Sequence, residues 1–425
     1  MKIHWIRRCI FTFFLYSEKS MDQRKVYTNS QIPELLLPEK FLSDIEKSPD
    51  TPRQYLGQPD MVRTQTDRLI IVYPVGHGHG PTVMQISDDR GTTWCEKSDI
   101  PKSWMNCQET PTLYILKLAD GKERILLISA CPGKWGNYTT GWDMSYSDDN
   151  GDSWTEYEHY YSTLKNGQPN YVIVGMASLI QLKSKEGEPL QKWMAVYHNW
   201  EYVNYKTYLT VAEDGTMQWS EPEPYLNQYR DIEYTYQMCE IGMFRSPDGS
   251  RIAGLARSQS HQHLSTLIYS DDEGETWSRP MEMQGSLAGE RHKAVYDPIS
   301  KRLVIAFREI VYGETIDDHW KAGDWVAWVG SYEDLLAQKQ GDYRIVLSKD
   351  WSQNAKGGDT GYTGVVAFED GTFVMVSYGH FDRSFSEAYA ARGNYDVRKD
   401  LAYIKQAKFK LCEIENKLPA PSNGI

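Results

Sequence analysis

The stretch Gly76-His77-Gly78-His79-Gly80-Pro81 sets two imidazoles between glycines, away from any apolar pattern. Histidine titrates close to neutral pH, and flanking glycines let backbone and ring approach a ligand, so the stretch reads as a functional loop in which His79 or His77 moves a proton. A His-x-His pair is also a candidate zinc site, but no third ligand at a suitable spacing accompanies it, so no metal and no cofactor is expected.

The most regular carboxylates lie in three octets of nearly identical pattern, Ser87 to Trp94, Ser147 to Trp154 and Ser270 to Trp277. Each begins Ser-Asp-Asp, has Gly at its fifth position and ends in Trp. Such an octet reads as a tight hairpin turn. The acidic pair can accept hydrogen bonds from turn amides, Gly takes a left-handed conformation without a Cβ penalty, and Trp packs beneath the turn. The first two octets start 60 residues apart and the third starts 123 residues after the second, about two periods. A decayed copy, Ala212 to Trp219, fills the gap, and Ser331-Tyr332-Glu333-Asp334 falls a further period on. One octet per unit marks these residues as structural, not catalytic.

A repeat of this length, built from short strands, means units that cannot bury their own apolar faces and must stack. The strands read from the sequence include Leu69 to Tyr73, Thr82 to Ile86, Arg124 to Ser129, Tyr171 to Leu182, Trp193 to Tyr197, Leu303 to Arg308, Val365 to Phe368 and Thr372 to Ser377. No long amphipathic helix competes with them. The expected fold is all-β, a six-bladed β-propeller of four-stranded antiparallel blades. An N-terminal arm over 1–54, extended across the propeller from about residue 22, one propeller domain over 55–415 and a tail over 416–425 complete the organisation.

The net charge of −12 and the absence of a basic stripe argue against nucleic acid or an anionic membrane as a general partner. The 29 tyrosines and 14 tryptophans suit both a strand-rich fold and a sugar-binding surface. Residues 1–20 place Lys2, Arg7 and Arg8 before the apolar run Cys9 to Tyr16, which is too short to span a membrane and lacks a small-residue cleavage site. Translation from Met21 implies a cytoplasmic protein, and the earlier start an exported one. Cys9, Cys95, Cys107, Cys131, Cys239 and Cys412 form no Cys-x-x-Cys pair and read as free thiols.

The octets match the Asp-box consensus, so the chain resembles the sialidase superfamily of six-bladed propellers. Two further stretches sharpen the likeness across about residues 55 to 412. Met238-Cys239-Glu240-Ile241-Gly242, followed by Gly254 to Ser258, resembles the segment that carries the family's catalytic Glu and one carboxylate-binding Arg. Asp359 to Gly364 resembles the segment that carries its nucleophilic Tyr. The resemblance implies Tyr362 as nucleophile, Glu240 as the base that takes its proton and Arg257 as an anion contact. A phenol titrates near pH 10 and needs such a base. A neutral phenol also meets less repulsion than a second carboxylate beside an anionic sugar, and a tyrosine nucleophile is a recognised exception to the two-carboxylate scheme.

Two departures stand beside the likeness. The first arginine of the family's three-arginine clamp is replaced by Leu56-Gly57-Gln58-Pro59-Asp60. For the third, Lys321, Arg291 and Arg308 are the candidates, with pairing to Glu290 and Glu309 as the structural alternative for the two arginines. The family's acid/base Asp would fall in the His77 loop, which holds no carboxylate, so His79 is expected as acid/base and His77 as a substrate contact. These residues imply an exo-acting retaining glycoside hydrolase for a terminal acidic or modified sugar other than ordinary sialic acid, with a glycan as its partner. A polysaccharide lyase using a His/Tyr pair and a non-catalytic glycan-binding propeller are the alternatives.

Overall fold

In the computed structural model, which describes residues 32–136, 138–311, 321–353 and 358–418, the apolar run Leu69–Pro74 is buried along its whole length. A strand covered on both faces needs a neighbour on each side, and alternate side chains point to each. Ile70 and Val72 pack with Leu113, Ile125 and Leu127, whereas Leu69, Ile71 and Tyr73 pack with Val374, Val376 and Ile404. The same division recurs around the molecule, because each apolar cluster joins one sheet to the next.

Six antiparallel sheets form the blades. From the axis outward, blade I contains Asp60–Arg63, Leu69–Pro74, Thr82–Ser87 and Cys95–Glu96. Blade II contains Thr112–Lys117, Glu123–Pro132, Thr140–Ser147 and Glu158–Tyr160, and blade III contains Ile173–Lys183, Pro189–His198, Asn204–Val211 and Met217–Trp219. Blade IV contains Met238–Arg245, Ile252–Ser258, Thr266–Ser270 and Met281–Glu282, and blade V contains Gly289–Tyr296, Leu303–Val311, Lys321–Gly330 and Tyr343–Ser348. Blade VI contains Thr363–Ala367, Thr372–Gly379, Tyr403–Lys410 and, as its outermost strand, Leu42–Glu46. The innermost strands contact one another in a closed ring, with that of blade VI against that of blade I.

Closure draws on the N-terminal segment. Leu42–Glu46 pairs antiparallel with Tyr403–Lys410, and Glu34–Leu36 adds to Tyr343–Ser348 in parallel. The strands of the propeller therefore begin at Glu34, not at 55, and the described part of the expected arm is woven into blades V and VI. Its weak strand pattern concealed this; the outer edges of those blades offer unpaired amides and carbonyls to any extended segment that reaches them. Residues 1–20, read as an over-long start or a weak export signal, lie outside the described residues, as does the tail beyond 418.

The three octets connect the third and fourth strands of blades I, II and IV. In each, Gly is left-handed, with φ of 76°, 85° and 87° for Gly91, Gly151 and Gly274. The two aspartates divide the work. Asp149 accepts from the Ser153 amide at 2.8 Å and Asp272 from the Thr276 amide at 2.8 Å, whereas Asp148 accepts from Arg124 Nε at 2.6 Å and Asp271 from Arg251 Nε at 2.6 Å. Ser331, one period further on, instead caps the helix Tyr332–Leu336 by accepting from the Asp334 amide at 2.9 Å. The five described cysteines are free, and no described helix is long and apolar enough to cross a membrane.

Candidate active site

Antiparallel order puts the starts of first strands and the ends of second strands at one end of the propeller, opposite the octets. Glu240 and Arg291 sit at the starts of the inner strands of blades IV and V, each at a break in register and each with positive φ, 48° and 57°. A bulge of this kind bends the strand and turns a side chain out of the pleat, here towards the mouth. Arg257 and Arg308 lie near the ends of the second strands of the same blades, and Tyr362 directly precedes the inner strand of blade VI.

The structure brings Tyr362, Glu240 and Arg257 together. The Tyr362 hydroxyl lies 3.0 Å from each carboxylate oxygen of Glu240, Arg257 Nη1 lies 2.9 Å from Glu240 Oε1 and 3.5 Å from the phenol, and the Arg291 guanidinium sits 4.9 Å from the centre of the Tyr362 ring. All four side chains are buried. Burial pushes Glu240 up, but Arg257 and Arg291 outweigh it and hold the carboxyl below its ordinary value. Burial, then Glu240, push the phenol well above 10. The resting pair is a neutral phenol donating to a carboxylate. His198, buried beside them, is pushed down to about 4 by burial and is neutral.

Two further carboxylates organise the cations. Glu290 accepts from Arg257 Nη2 at 2.7 Å, from Arg308 Nε at 2.7 Å and contacts His261 Nε2 at 2.5 Å. Asp359 accepts from the Tyr378 hydroxyl at 2.7 Å and from the Tyr55 hydroxyl, with His77 Nδ1 at 3.2 Å and Arg308 Nη1 at 3.5 Å. Arg308 is thus tied to Glu290, while Glu309 pairs with Arg344. Arg291 has no ion-pair partner among the described residues. Lys321 begins a strand, but its side chain lies outside the described residues.

The two loop histidines part company. His77 is locked against Tyr55, with Nδ1 2.7 Å from the hydroxyl. Burial lowers its pKa, but Asp359 more than reverses this. His79 is exposed and stacks on Trp135, with ring centres 5.4 Å apart and planes at 9°, and burial lowers its pKa. Gln58, in the segment where the resembled family's first arginine is absent, accepts from the Gly78 amide at 2.7 Å and anchors the loop. A carboxyl does reach this loop, from elsewhere in the chain. A Cβ on Gly78 would lie 3.0 Å from Glu109 Oε1. Glu109 stands three residues ahead of the inner strand of blade II. A polar side chain just ahead of an inner strand is the one sequence signal that would have picked it out.

A pocket of about 310 Å³ lined by Trp200, Tyr202, Tyr225, Tyr229, Arg230 and Tyr236 opens beside Met238, two residues before Glu240. Among the described residues one group has metal-ligand spacing, Cys131, Asp143 and His159 on the second, third and fourth strands of blade II. Its members bond to one another, with His159 Nδ1 2.7 Å from Asp143 Oδ1 and the Cys131 thiol 3.5 Å from Asp143 Oδ2.

A family model described as a BNR repeat-like domain matches residues 115–295, and no curated protein matches the chain. Among solved structures, a Dyadobacter fermentans protein of unknown function is 13% identical with a TM-score of 0.56, over 87% of this chain and 99% of that one. The intramolecular trans-sialidase of Ruminococcus gnavus is 12% identical with a TM-score of 0.52, over 88% and 98%. A sialidase of Streptococcus pneumoniae is 11% identical with a TM-score of 0.52, over 88% and 71%. At these identities the likeness concerns the fold. The chain carries a BNR repeat-like domain and is a six-bladed β-propeller whose fold is similar to that of sialidases.

Proposed function

We propose that this protein is a retaining glycoside hydrolase that releases a terminal sugar through a covalent intermediate on Tyr362. The observation that carries the reading is the 3.0 Å approach of the Tyr362 hydroxyl to both oxygens of Glu240. A phenol with a bound carboxylate base is an activated nucleophile, and few structural roles require a buried phenol, carboxylate and guanidinium to converge where loops from several blades meet. Glu240 takes the phenolic proton as the oxygen attacks the anomeric carbon, and Arg257 stabilises the carboxylate in its charged form. Structural neighbours are named as sialidases, and the aromatic pocket beside Met238 suits the apolar faces of sugar rings.

The substrate class follows from the cations. Arg257 and Arg308 both face Glu290, and Arg291 remains as one arginine for an acidic or modified substituent. That favours a terminal sugar other than ordinary sialic acid. The phenol's partner is a carboxylate and not a histidine, which favours hydrolysis over β-elimination. The test is release of free sugar from a panel of 4-methylumbelliferyl glycosides, neutral, uronic and sialic, with Tyr362→Phe as control. Release by the wild type and its loss in the variant support the reading; an unsaturated product absorbing in the ultraviolet overturns it.

A further inference from the structure

Retaining hydrolysis needs a proton for the departing oxygen as well as a nucleophile; of the loop histidines, His77 is engaged by Tyr55 and Asp359, and His79 is exposed and stacked on Trp135. We propose that Glu109 is the acid/base residue of this site, protonating the glycosidic oxygen as it leaves and then taking the proton of the incoming water. The assignment rests on the glycosidase reading above.

Position supports it first. The Glu109 carboxyl packs against Gly78 of the histidine loop, whose carbonyl accepts from the Thr110 amide at 2.6 Å, so the two segments are bound together at the mouth. The charged groups whose fields reach Glu109 are His77 from that loop, Glu240 from blade IV and Arg291 from blade V. Its hydrogen-bond donor is the Thr110 hydroxyl at 2.8 Å, and no arginine or lysine pairs with it among the described residues.

That last point separates Glu109 from the other carboxyls of the mouth. Glu240, Glu290 and Asp359 are each tied to arginine and held below their ordinary values despite burial. Burial pushes Glu109 up to about 7, with Thr110 and His77 opposing only in part. Where neighbouring carboxyls are driven apart in this way, the anionic ones serve as base or electrostatic partners and the protonated one as acid.

The steps balance. Tyr362 Oη bonds to the anomeric carbon, its proton passes to Glu240, the bond to the leaving oxygen breaks, and that oxygen takes the Glu109 proton. Water then attacks the same carbon and gives a proton to Glu109. The bond to Tyr362 breaks, and the phenolate recovers its proton from Glu240.

The experiment compares Glu109→Gln with wild type on the dinitrophenyl and methyl glycosides of whichever sugar the umbelliferyl panel identifies, reading kcat/KM and its pH profile. Thermal melting checks that the variant folds. A dinitrophenolate leaves without protonation and a methoxide does not. The expected result is a loss of about 10²- to 10⁴-fold on the methyl glycoside, a much smaller loss on the dinitrophenyl glycoside, and disappearance of the fall in activity above about pH 7. Equal losses on both substrates, no loss on the methyl glycoside, or an unchanged basic limb overturns the role of Glu109. No release by wild type from any probe, or full activity of Tyr362→Phe, overturns the glycosidase reading itself.

Discussion

The phenol of Tyr362 and the carboxylate of Glu240 are 122 positions apart in sequence, yet the hydroxyl sits 3.0 Å from both carboxylate oxygens. Two blades carry them: Glu240 sits at a register break, and Tyr362 lies just ahead of a strand with its carbonyl accepting from the Ser377 hydroxyl at 3.0 Å. Tyr362→Phe removes one hydroxyl from a buried ring that keeps its contact with Arg291, so fold and binding should change little. Turnover should fall by orders of magnitude. Glu240→Gln should also be severe, with some loss of stability because Arg257 loses one of its two anions. The double variant should be scarcely worse than either single one, since both serve one step. Steady-state kinetics of the three variants check this, and additive losses would contradict a shared role.

The repeat made the architecture legible, because the octets fall at one place per blade and the strands between them alternate or run apolar. Pairing across blades was visible only by likeness: Glu240, Arg257 and Tyr362 stood in recognisable segments and do converge. Glu290 carries no motif, and Asp359 opens the tyrosine's segment without its partners being readable there; which arginines, phenols and histidines the two carboxylates meet is a property of blade packing. Glu109 was hidden for the same reason. The loop itself holds His79 and no carboxylate, while a carboxyl three residues ahead of another blade's first strand packs against that loop. The N-terminal strands were missed because Leu42–Glu46 is polar and short and becomes a strand only at an edge that needs closing.

The octet aspartates should affect stability and not chemistry, by two different routes. Asp149→Ala removes the acceptor of the Ser153 amide and hydroxyl, and Asp148→Ala strips Arg124 of a two-point contact at 2.6 and 2.8 Å. Arg124 is largely buried and also donates to the Gly215 carbonyl of blade III at 2.6 Å, so its loss of charge compensation is felt between blades. Each variant should lose about 1 to 3 kcal/mol in denaturant unfolding. Turnover per folded molecule should be unchanged, and a folded but inactive variant would contradict this.

Stability should fall on the alkaline side through His380. This side chain is buried, with Nδ1 3.7 Å from Asp350 and Nε2 3.0 Å from the Val397 carbonyl. Burial lowers its pKa, but Asp350 and more distant carboxylates raise it to about 9. A folded-state value above the unfolded one, near 6.5, means that the contribution is complete below about pH 6.5 and is lost as pH rises through about 9. Urea midpoints measured across that window should decline, and His380→Gln should remove the decline. A slope that survives in the variant would place its origin elsewhere.

Sialosides should be poor substrates because the positions that would grip their carboxylate are already engaged. The segment Leu56 to Asp60 lacks the arginine expected by likeness, its Gln58 holds the Gly78 amide, and Glu290 lies against both Arg257 and Arg308. A substrate carboxylate entering there meets a buried anion on one side and a single uncommitted guanidinium, Arg291, on the other. Forgoing one charge-assisted two-point contact costs on the order of 1.5 to 3 kcal/mol, about tenfold to more than a hundredfold in affinity. Glu290→Gln tests the cause. The buried arginines then lose their shared anion, which should cost stability, about 3 to 5 kcal/mol when a buried pair is broken, while free sialic acid or another small sugar carboxylate should bind more tightly than to wild type and restore part of the loss. Thermal shift and calorimetric titration read both effects. Efficient release of sialic acid by the wild type, or a Glu290→Gln variant that gains no affinity for a carboxylate ligand, would show that Glu290 does not occupy the anion's place.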